Sequence, residues 1–415
     1  MRTIYFLIIE FLFLSFGIDV YCTNLSKGDI VVLTDFPYYL RNDIKISFTA
    51  DVTTMGTFYI GRGYRSASGI YVKIDGKKIT PITCDLSGNE IEKASIVNDL
   101  AISKFIKVIL DVRHTTNYQI KCNLEIQSDN GKKIVELSEN WSGVEDPVFV
   151  KSATSNGIIC SNISLCATSS NFDKPIWVVG DSYLSIGNSE RWPYYLEKRG
   201  YYNYLIESVS GGGTNVYNDA LKLLNFGSPK YLVWCLGMNY GSDVDANTPR
   251  SSWKSEVDNI VSICSSRGIT PILATIPCVP QKNHEGKNKY VRDSGYRYID
   301  FAKAVHGETY TAGVDNWYEG YLYHGTEQKP DYVHPTALGA QALANQVLKD
   351  LPEITYLIGD VNLDKSVNYN DLNDLVLFII GGKPQNFSLF QADIDNNRKI
   401  DAVDVTKLVN IILKK

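Results

Sequence analysis

The chain has 415 residues, of which 44% are hydrophobic and 21% are charged, and its net charge is -5 with a pI near 5.7. This composition is typical of a globular protein, and at about 150 residues per domain the length predicts about three domains. An acidic balance without a dense basic run argues against a nucleic-acid-binding protein.

The amino terminus has the pattern of a signal peptide, predicted over residues 1–22. Met1-Arg2 precedes an apolar run from Ile4 to Ile18. A basic start followed by a short apolar run is typical of secretory signals, and Glu10 within the run disfavours a membrane anchor. We therefore expect a secreted, extracellular protein without a membrane partner.

The cysteines give little evidence of a disulfide framework or a zinc site. Cys235 and Cys264 lie in apolar segments, so we expect them to be buried thiols. Cys160 and Cys166 are near enough in sequence to form a pair. Among the cysteines and histidines, none has the spacing of a zinc site.

Residues 24–150 alternate between apolar and polar side chains on a period of two, which predicts a β-sandwich. Turn signals at Asp75-Gly76 and Asp129-Asn130-Gly131 separate some of the strands. A structural support domain is the simpler interpretation, and a carbohydrate-binding domain or a lid is the alternative. The predicted strands include Ile44–Phe48, Thr57–Ile60, Tyr71–Ile74, Lys77–Ile79, Lys107–Leu110 and Lys121–Ile126. Residues 151–172 are rich in Ser, Asn and Thr and are predicted to be a linker.

Residues 173–352 alternate between strand-like and helix-like segments, which predicts a parallel sheet with helices on both faces. In such sheets, ligands bind beyond the carboxyl ends of the strands. The predicted strands are Ile176–Val179, Tyr204–Ile206, Tyr231–Leu236 and Pro271–Ile276, and the predicted helices are Trp192–Lys198, Val216–Leu224, Ser252–Ser265 and Thr336–Leu348.

Polar motifs follow the first three of these strands. Ser182 ends the Gly-Asp-Ser tripeptide after the first strand, Gly211 and Gly212 belong to a glycine cluster after the second, and Asn239 follows the third. Glycines let a backbone N–H approach a ligand closely, and an Asn amide can donate to a developing negative charge. Taken alone, Ser182 could cap a helix, the glycines favour an ordinary loop, and Asn239 favours a turn residue.

A fourth motif, Asp331-Tyr332-Val333-His334-Pro335, precedes the last predicted helix of this region. Asp331 and His334 are three residues apart in a turn, so both side chains can face one point. There His334 can accept the proton of Ser182, while Asp331 orients the ring and stabilises its cation. A structural surface role for His334 is the alternative.

Together, the four motifs resemble the four blocks of the GDSL/SGNH hydrolase superfamily in order and spacing. The resemblance implies a flavodoxin-like α/β fold, an ester substrate and an oxyanion hole built from Ser182, Asn239 and either Gly211 or Gly212. Two departures are Tyr183, where Leu is usual, and Tyr240, where Asp is frequent. Because Asp331 is present, a full Ser-His-Asp triad is expected.

Residues 357–415 contain two repeats with oxygen-bearing side chains at calcium-loop spacing, each followed by an apolar helix. Position six, usually Gly, is Lys365 in one repeat and Arg398 in the other, and at Lys399 the ligand would be the backbone carbonyl. An acidic turn is the alternative for one loop alone, but two such loops in tandem favour a pair of calcium sites. The predicted ligands are Asp360, Asn362, Asp364, Ser366, Asn368 and Asp371 in the first loop, and Asp393, Asp395, Asn397, Lys399, Asp401 and Asp404 in the second.

This tandem resembles a type I dockerin, an all-α module that binds a cohesin module of a scaffoldin. The resemblance implies a cellulosomal enzyme with structural calcium and no cofactor for catalysis. The partner-contacting positions would be Tyr369-Asn370 and Ala402-Val403.

The combination resembles deacetylases that have an N-terminal jelly-roll domain and an SGNH-type catalytic domain. It implies a carbohydrate esterase that removes acetyl groups from a plant cell-wall polysaccharide such as xylan. The alternatives are an esterase for feruloyl, pectin acetyl or lipid esters, and an inactive binding module that carries a dockerin.

Overall fold

The computed structural model describes residues 17–20, 30–34, 44–52, 57–65, 69–75, 77–85, 87–100, 105–114, 119–128, 130–140, 148–153, 160–168, 172, 174–185, 190–308, 310–395, 397 and 399–413. These residues form two compact units, one that ends at Thr168 and one that begins at Phe172. Among the described residues, no helix is both long and apolar enough to cross a lipid bilayer.

The first unit consists of two antiparallel sheets. One sheet has the strand order β1-β13-β3-β9-β10-β11, and the main path of the other is β2-β12-β4-β5-β6-β7, with β8 beside β6. Strand β11 lies against β6 of the other sheet. The strands are β1 (Gly17–Val20), β2 (Ile30–Thr34), β3 (Ile44–Val52), β4 (Phe58–Arg62), β5 (Ile70–Ile74), β6 (Lys78–Cys84), β7 (Glu90–Glu92), β8 (Ile96–Val97), β9 (Phe105–His114), β10 (Gln119–Ser128), β11 (Gly131–Asn140), β12 (Val148–Ser152) and β13 (Cys160–Thr168).

The predicted linker over residues 151–172 is wrong for most of its length. β13 lies within it and pairs with both β3 and β1, and the end of β12 overlaps its start. Ladder hydrogen bonds stabilise this segment in spite of its polar composition, because backbone pairing does not require apolar side chains. Its partner β1 belongs to the predicted signal peptide, and the remainder of that peptide lies outside the described residues.

The suggested pairing of Cys160 with Cys166 is also wrong. Both residues lie on β13, where Cys160 pairs with Val52 and Cys166 with Ser47. Six residues of extended strand separate two Cα atoms by roughly 20 Å. A disulfide requires Cα atoms less than about 7 Å apart, so these two cysteines cannot be joined.

The second unit is built on a parallel sheet of five strands in the order β15-β14-β16-β17-β18. In chain order this is 2-1-3-4-5, a doubly wound arrangement with a switch point between the first and third strands. The strands are β14 (Ile176–Gly180), β15 (Tyr204–Ser208), β16 (Tyr231–Trp234), β17 (Thr270–Ala274) and β18 (Arg297–Ile299). The helices around this sheet are α1 (Ser182–Ser185), α2 (Trp192–Glu197), α3 (Thr214–Leu223), α4 (Ser251–Ser266), α5 (Glu285–Asp293), α6 (Phe301–His306) and α7 (Ala337–Asp350).

Both faces of the parallel sheet are buried, which explains why its strands are almost uniformly apolar. On one face, Ile176 and Val178 share a core with residues of α2, α6 and α7. On the other, Trp234 contacts Tyr217 of α3 edge-to-face. Three short 3-10 helices, Leu224–Phe226, Met238–Tyr240 and Pro352–Thr355, and a hairpin of β19 (Gly325–Thr326) and β20 (Lys329–Pro330) complete this part of the unit.

The tail forms α8 (Tyr369–Ile379), α9 (Leu389–Ala392) and α10 (Ala402–Leu413). One predicted calcium loop precedes α8 and the other precedes α10, and α8 packs against α10. A small core of Val361, Leu375 and Leu408, among others, lies between the repeats. The tail also contacts the sheet region, since Lys230 Nζ donates to the Phe390 carbonyl at 2.7 Å.

Candidate active site

The four sequence motifs follow β14, β15, β16 and the hairpin segment before α7. Ser182 begins α1 immediately beyond β14, and it is 3% exposed. At Gly180 an added Cβ would lie 2.5 Å from Leu184 and 3.2 Å from Cys235. Glycine is therefore the residue that lets the strand turn into α1 and present the serine at the sheet edge.

A bulge in the hairpin places Asp331 and His334 side by side. Tyr323 N donates to the His334 carbonyl at 2.9 Å, and Asp331 N donates to the His324 carbonyl at 3.1 Å. Tyr332 and Val333 therefore lie between the two paired residues on one strand. The partners of that pair, Tyr323 and His324, are adjacent on the other strand. Such bulges redirect side chains, and here the two extra residues bring the side chains of Asp331 and His334 to the same side of the hairpin.

The carboxylate of Asp331 organises the turn as well as the imidazole. Its Oδ1 accepts the N–H groups of Val333 at 2.9 Å and His334 at 3.2 Å, and its Oδ2 is 2.7 Å from His334 Nδ1. Partial burial raises the pKa of Asp331, but these hydrogen bonds outweigh it and lower the pKa overall. Asp331 is therefore ionised at neutral pH.

The structure brings Ser182, His334 and Asp331 together as a relay. His334 Nε2 lies 3.0 Å from Ser182 Oγ. Because the Asp331 carboxylate only accepts hydrogen bonds, His334 carries its proton on Nδ1, and Nε2 is left to accept the serine proton. This is the geometry in which an imidazole acts as general base toward a hydroxyl.

Tyr183, one of the two departures from the family pattern, joins the serine segment to the histidine segment. Its hydroxyl donates to the Val333 carbonyl at 2.7 Å, and its ring meets the His334 ring edge-to-face at 6.4 Å. Tyr183 is 5% exposed, and burial raises its pKa, so the hydroxyl stays protonated and able to donate.

The glycine turn after β15 distinguishes the two candidate donors. The N–H of Gly212 donates to the Val209 carbonyl at 3.0 Å, and that of Gly213 donates to Asn215 Oδ1 at 2.8 Å. Gly211 has φ +76°, and its N–H makes no hydrogen bond to the part of the chain that the structure describes. Of the predicted pair, Gly211 therefore has the N–H that remains to bind a ligand.

Asn239 lies on the 3-10 turn that follows β16, and its side chain is exposed. Its Nδ2 donates to the Gly212 carbonyl at 3.0 Å, which fixes the amide beside the glycine turn. An amide nitrogen has two protons, so one remains to bind a ligand. Gly237, just before this turn, faces Ile276, which would lie 2.4 Å from an added Cβ.

Asp181, the residue before the serine, is buried with 1% of its surface exposed. Its Oδ1 accepts the N–H of Tyr183 at 3.3 Å, and its Oδ2 has no hydrogen-bond partner among the described residues. Burial raises the pKa of Asp181 to about 6 in spite of the opposing effects of its hydrogen bonds and of His334.

Sequence reasoning missed a buried polar network beneath the Asn239 turn. Lys287 of α5 is fully buried and donates to Asp243 at 2.6 Å and to the Gly241 carbonyl at 2.9 Å. It also lies 3.2 Å from His284 Nδ1, and burial and Lys287 together hold the pKa of His284 far below its usual range. His284 is therefore neutral, with its proton on Nε2, which lies 3.4 Å from Met238 Sδ.

Sequence reasoning also missed Glu256 of α4, which binds two side chains next to the predicted donors. Thr214 Oγ1 donates to Glu256 Oε1 at 2.7 Å, and the Tyr240 hydroxyl donates to Oε2. The partners lie 42 and 16 residues away in sequence. A search for local motifs cannot detect contacts over these separations.

In the tail, each predicted calcium loop gathers three carboxylates whose oxygen atoms lie within 4.8 Å of one another. The groups are Asp360, Asp364 and Asp371 in the first loop, and Asp393, Asp395 and Asp404 in the second. Burial and, secondarily, neighbouring carboxylates raise the pKa of Asp360 and of Asp395. A bound cation would relieve the repulsion within each group, and hard oxygen ligands suit Ca²⁺.

The other predicted ligands lie on the same loops and brace them. Asn362 Oδ1 accepts the N–H of Asp364 at 3.0 Å, and Ser366 N donates to Asp364 Oδ1 at 2.8 Å. In the second loop, Asn397 Nδ2 donates to Asp395 at 2.8 Å, and Lys399 N donates to Asn397 Oδ1 at 2.7 Å.

A scan against protein-family models found no match, and a comparison with curated proteins found none. Similar solved structures include a lipolytic protein of the G-D-S-L family from Desulfitobacterium hafniense, with 17% identity over 43% of this chain and 99% of that chain, at a TM-score of 0.34. The esterase EstA from Pseudoalteromonas sp. is 14% identical over 43% of this chain and 97% of its own, at a TM-score of 0.32. The galectin LEC-6 from Caenorhabditis elegans is 9% identical over 36% of this chain and 95% of its own, at a TM-score of 0.25.

Proposed function

We propose that this protein is a serine hydrolase of carboxylic esters that uses Ser182, His334 and Asp331. The observation that supports it best is the relay itself, with 3.0 Å between Ser182 Oγ and His334 Nε2 and 2.7 Å between His334 Nδ1 and Asp331 Oδ2. A hydroxyl is a poor nucleophile until a base accepts its proton, and this arrangement supplies the base and its orienting acid.

The chemistry follows from the positions of these groups. As Ser182 Oγ attacks the ester carbonyl, its proton passes to His334 Nε2, and the carbonyl oxygen becomes an oxyanion. The N–H groups of Ser182 and Gly211 and the amide of Asn239 are the proposed donors to that oxyanion. The protonated His334 then gives its proton to the leaving alkoxide oxygen. A water deprotonated by His334 then attacks the acyl carbon, the bond to Ser182 Oγ breaks as that oxygen regains the proton from His334, and the acid is released.

We propose acetylated cell-wall polysaccharide, such as xylan, as the substrate. The support is the combination of the candidate site with a tail that resembles a dockerin and a β-rich first unit, an arrangement similar to that of polysaccharide deacetylases. The proposed setting is extracellular and cellulosome-associated, with a cohesin module of a scaffoldin as the partner of the tail.

The residues of the tail fit calcium, which would have a structural role there. Asp360, Asp364 and Asp371 would hold one ion, and Asp393, Asp395 and Asp404 the other, with the remaining loop positions completing each shell. A tail with so small a core depends on such ions for its stability. We propose no cofactor for the hydrolytic step.

Acetate release from acetylated xylan tests this proposal, measured for the wild type and for Ser182→Ala, each with calcium and with a chelator. We expect release by the wild type only, with the same kcat in both conditions. Turnover of a small acetyl ester without acetate release from xylan would support the triad and indicate a feruloyl, pectin or lipid ester as the substrate. Equal activity of Ser182→Ala, or no turnover of any ester, would refute the serine mechanism.

A further inference from the structure

Glu256 is the point at which two separate segments of the candidate oxyanion hole are joined. It lies on α4, and each oxygen of its carboxylate accepts a hydrogen bond from a different segment. Thr214 Oγ1 donates to Oε1 at 2.7 Å, and the Tyr240 hydroxyl donates to Oε2. Thr214 is the first residue of α3, directly after the glycine turn, and Tyr240 directly follows Asn239.

Two separate sets of hydrogen bonds connect the glycine turn with the turn that carries Asn239. On one side, Asn239 Nδ2 donates directly to the Gly212 carbonyl at 3.0 Å. On the other, Thr214 and Tyr240 are connected through Glu256. The Tyr240 ring also lies against the glycine turn, 3.8 Å from the position of a Cβ on Gly213. The two segments are thus held together both directly and through the carboxylate.

A carboxylate suits this position for a chemical reason. It only accepts hydrogen bonds, and both of its partners carry hydroxyl protons to donate. Tyr240 is 9% exposed, and burial raises its pKa, so it remains a donor. The helix that carries Glu256 is fixed in turn, because Trp253 Nε1 donates to the Leu236 carbonyl at 2.7 Å, next to the turn of Asn239.

We propose that Glu256 is a positioning residue that sets the spacing between the Gly211 N–H and the Asn239 amide by holding Thr214 and Tyr240. This inference rests on the proposed ester hydrolysis and explains why Tyr stands at position 240. Donors to an oxyanion act in the transition state more than in the bound substrate, so a change in their spacing alters kcat more than KM.

The first test is steady-state hydrolysis of a small acetyl ester. Glu256→Leu should lower kcat roughly tenfold to a hundredfold with little change in KM. Glu256→Gln should restore most of the rate, because hydroxyls both donate and accept and can bind both ends of the amide. Asp258→Leu is the matched control. It removes a carboxylate of the same helix that binds Tyr290 and Lys254, away from the donors, and should leave kcat unchanged.

The single hydroxyls provide a second test, and its measurements in the wild-type background do not depend on Glu256→Leu folding well. Thr214→Val and Tyr240→Phe should each lower kcat in the wild type, and neither should lower it further in Glu256→Leu. Additive losses in the two backgrounds would overturn the inference, as would a Glu256→Leu enzyme with wild-type kcat.

Amide hydrogen exchange separates failure of this inference from failure of the proposed function. Glu256→Leu should speed exchange at residues 211–214 and 239–241 and leave the segment around His334 unchanged. This result would stand even if the wild type hydrolysed no ester, an outcome that would refute the proposed function alone. Unchanged exchange in both donor segments would show that Glu256 does not hold them.

Discussion

At the scale of single residues, Asp181 is the most unusual group next to Ser182. Its carboxyl is buried, and burial raises its pKa from 3.8 to about 6. Between these two values the folded protein keeps a proton that the unfolded chain has lost. The folded state therefore binds more protons, and stability falls as the pH rises through this window. Below about pH 4 both states are protonated, and the penalty is absent.

Asp181→Asn should therefore gain stability over the wild type as the pH rises from 4 to 6. Above pH 6 the gain should be constant at roughly 3 kcal/mol, the equivalent of the pKa shift. Urea unfolding followed by tryptophan fluorescence suits the measurement, because Trp177, Trp192, Trp234, Trp253 and Trp317 all lie in the second unit. A difference that does not change with pH would contradict the assignment, and exposed Asp258→Asn, which should show no such gain, is the control.

Residues whose roles depend on neighbours in sequence could be predicted, and those that depend on distant contacts could not. Asp331 and His334 were predicted because a three-residue spacing in a turn brings their side chains together. The choice between Gly211 and Gly212 required the backbone, since it depends on which N–H the turn itself consumes. Glu256 has no local signature, because its partners belong to other elements.

At the scale of elements, α5 stabilises the turn that carries Asn239, because Lys287 of this helix donates to the Gly241 carbonyl. Helix α5 has no recognisable pattern in the sequence, because its buried residues include Lys287 and Asn288 instead of an apolar stripe. Hydrophobic periodicity detects helices that bury apolar faces and misses one that buries a charge. The predicted linker failed for a related reason, since β13 is polar and is held by backbone pairing.

Lys287→Met should destabilise the second unit by about 3–5 kcal/mol, because it leaves the buried Asp243 carboxylate without its charge partner. Lys289→Met is a matched control on the same helix. Lys289 binds Asp293 at 2.6 Å, the distance of the buried pair, but both side chains are exposed. Its loss should cost about 1 kcal/mol or less. Urea midpoints measure both, and similar losses would contradict the importance of burial.

At the scale of the whole second unit, the parallel sheet separates the candidate site from the tail. Strands β14, β15 and β16 lead at their carboxyl ends into Ser182, the glycine turn and Asn239. Lys230 precedes β16 at the opposite edge, and there its ammonium lies 3.0 Å from Asp393, the first predicted ligand of the second predicted calcium loop. Its Nζ is also 4.4 Å from the centre of the Phe390 ring.

Lys230 should therefore affect calcium binding by the tail without affecting hydrolysis. Its positive charge competes with a cation for the Asp393 carboxylate, so Lys230→Met should raise the calcium affinity of the second loop. At about 1 kcal/mol for a partly exposed charge, the gain is roughly fivefold.

Calorimetric titration measures this gain in calcium affinity in two backgrounds. Asp371→Asn disables the first loop and should retain the gain, whereas Asp404→Asn disables the second and should abolish it. A lower affinity in Lys230→Met would mean that the lysine orients Asp393 for calcium instead of competing with it. A change in kcat would mean that the two edges of the sheet are coupled.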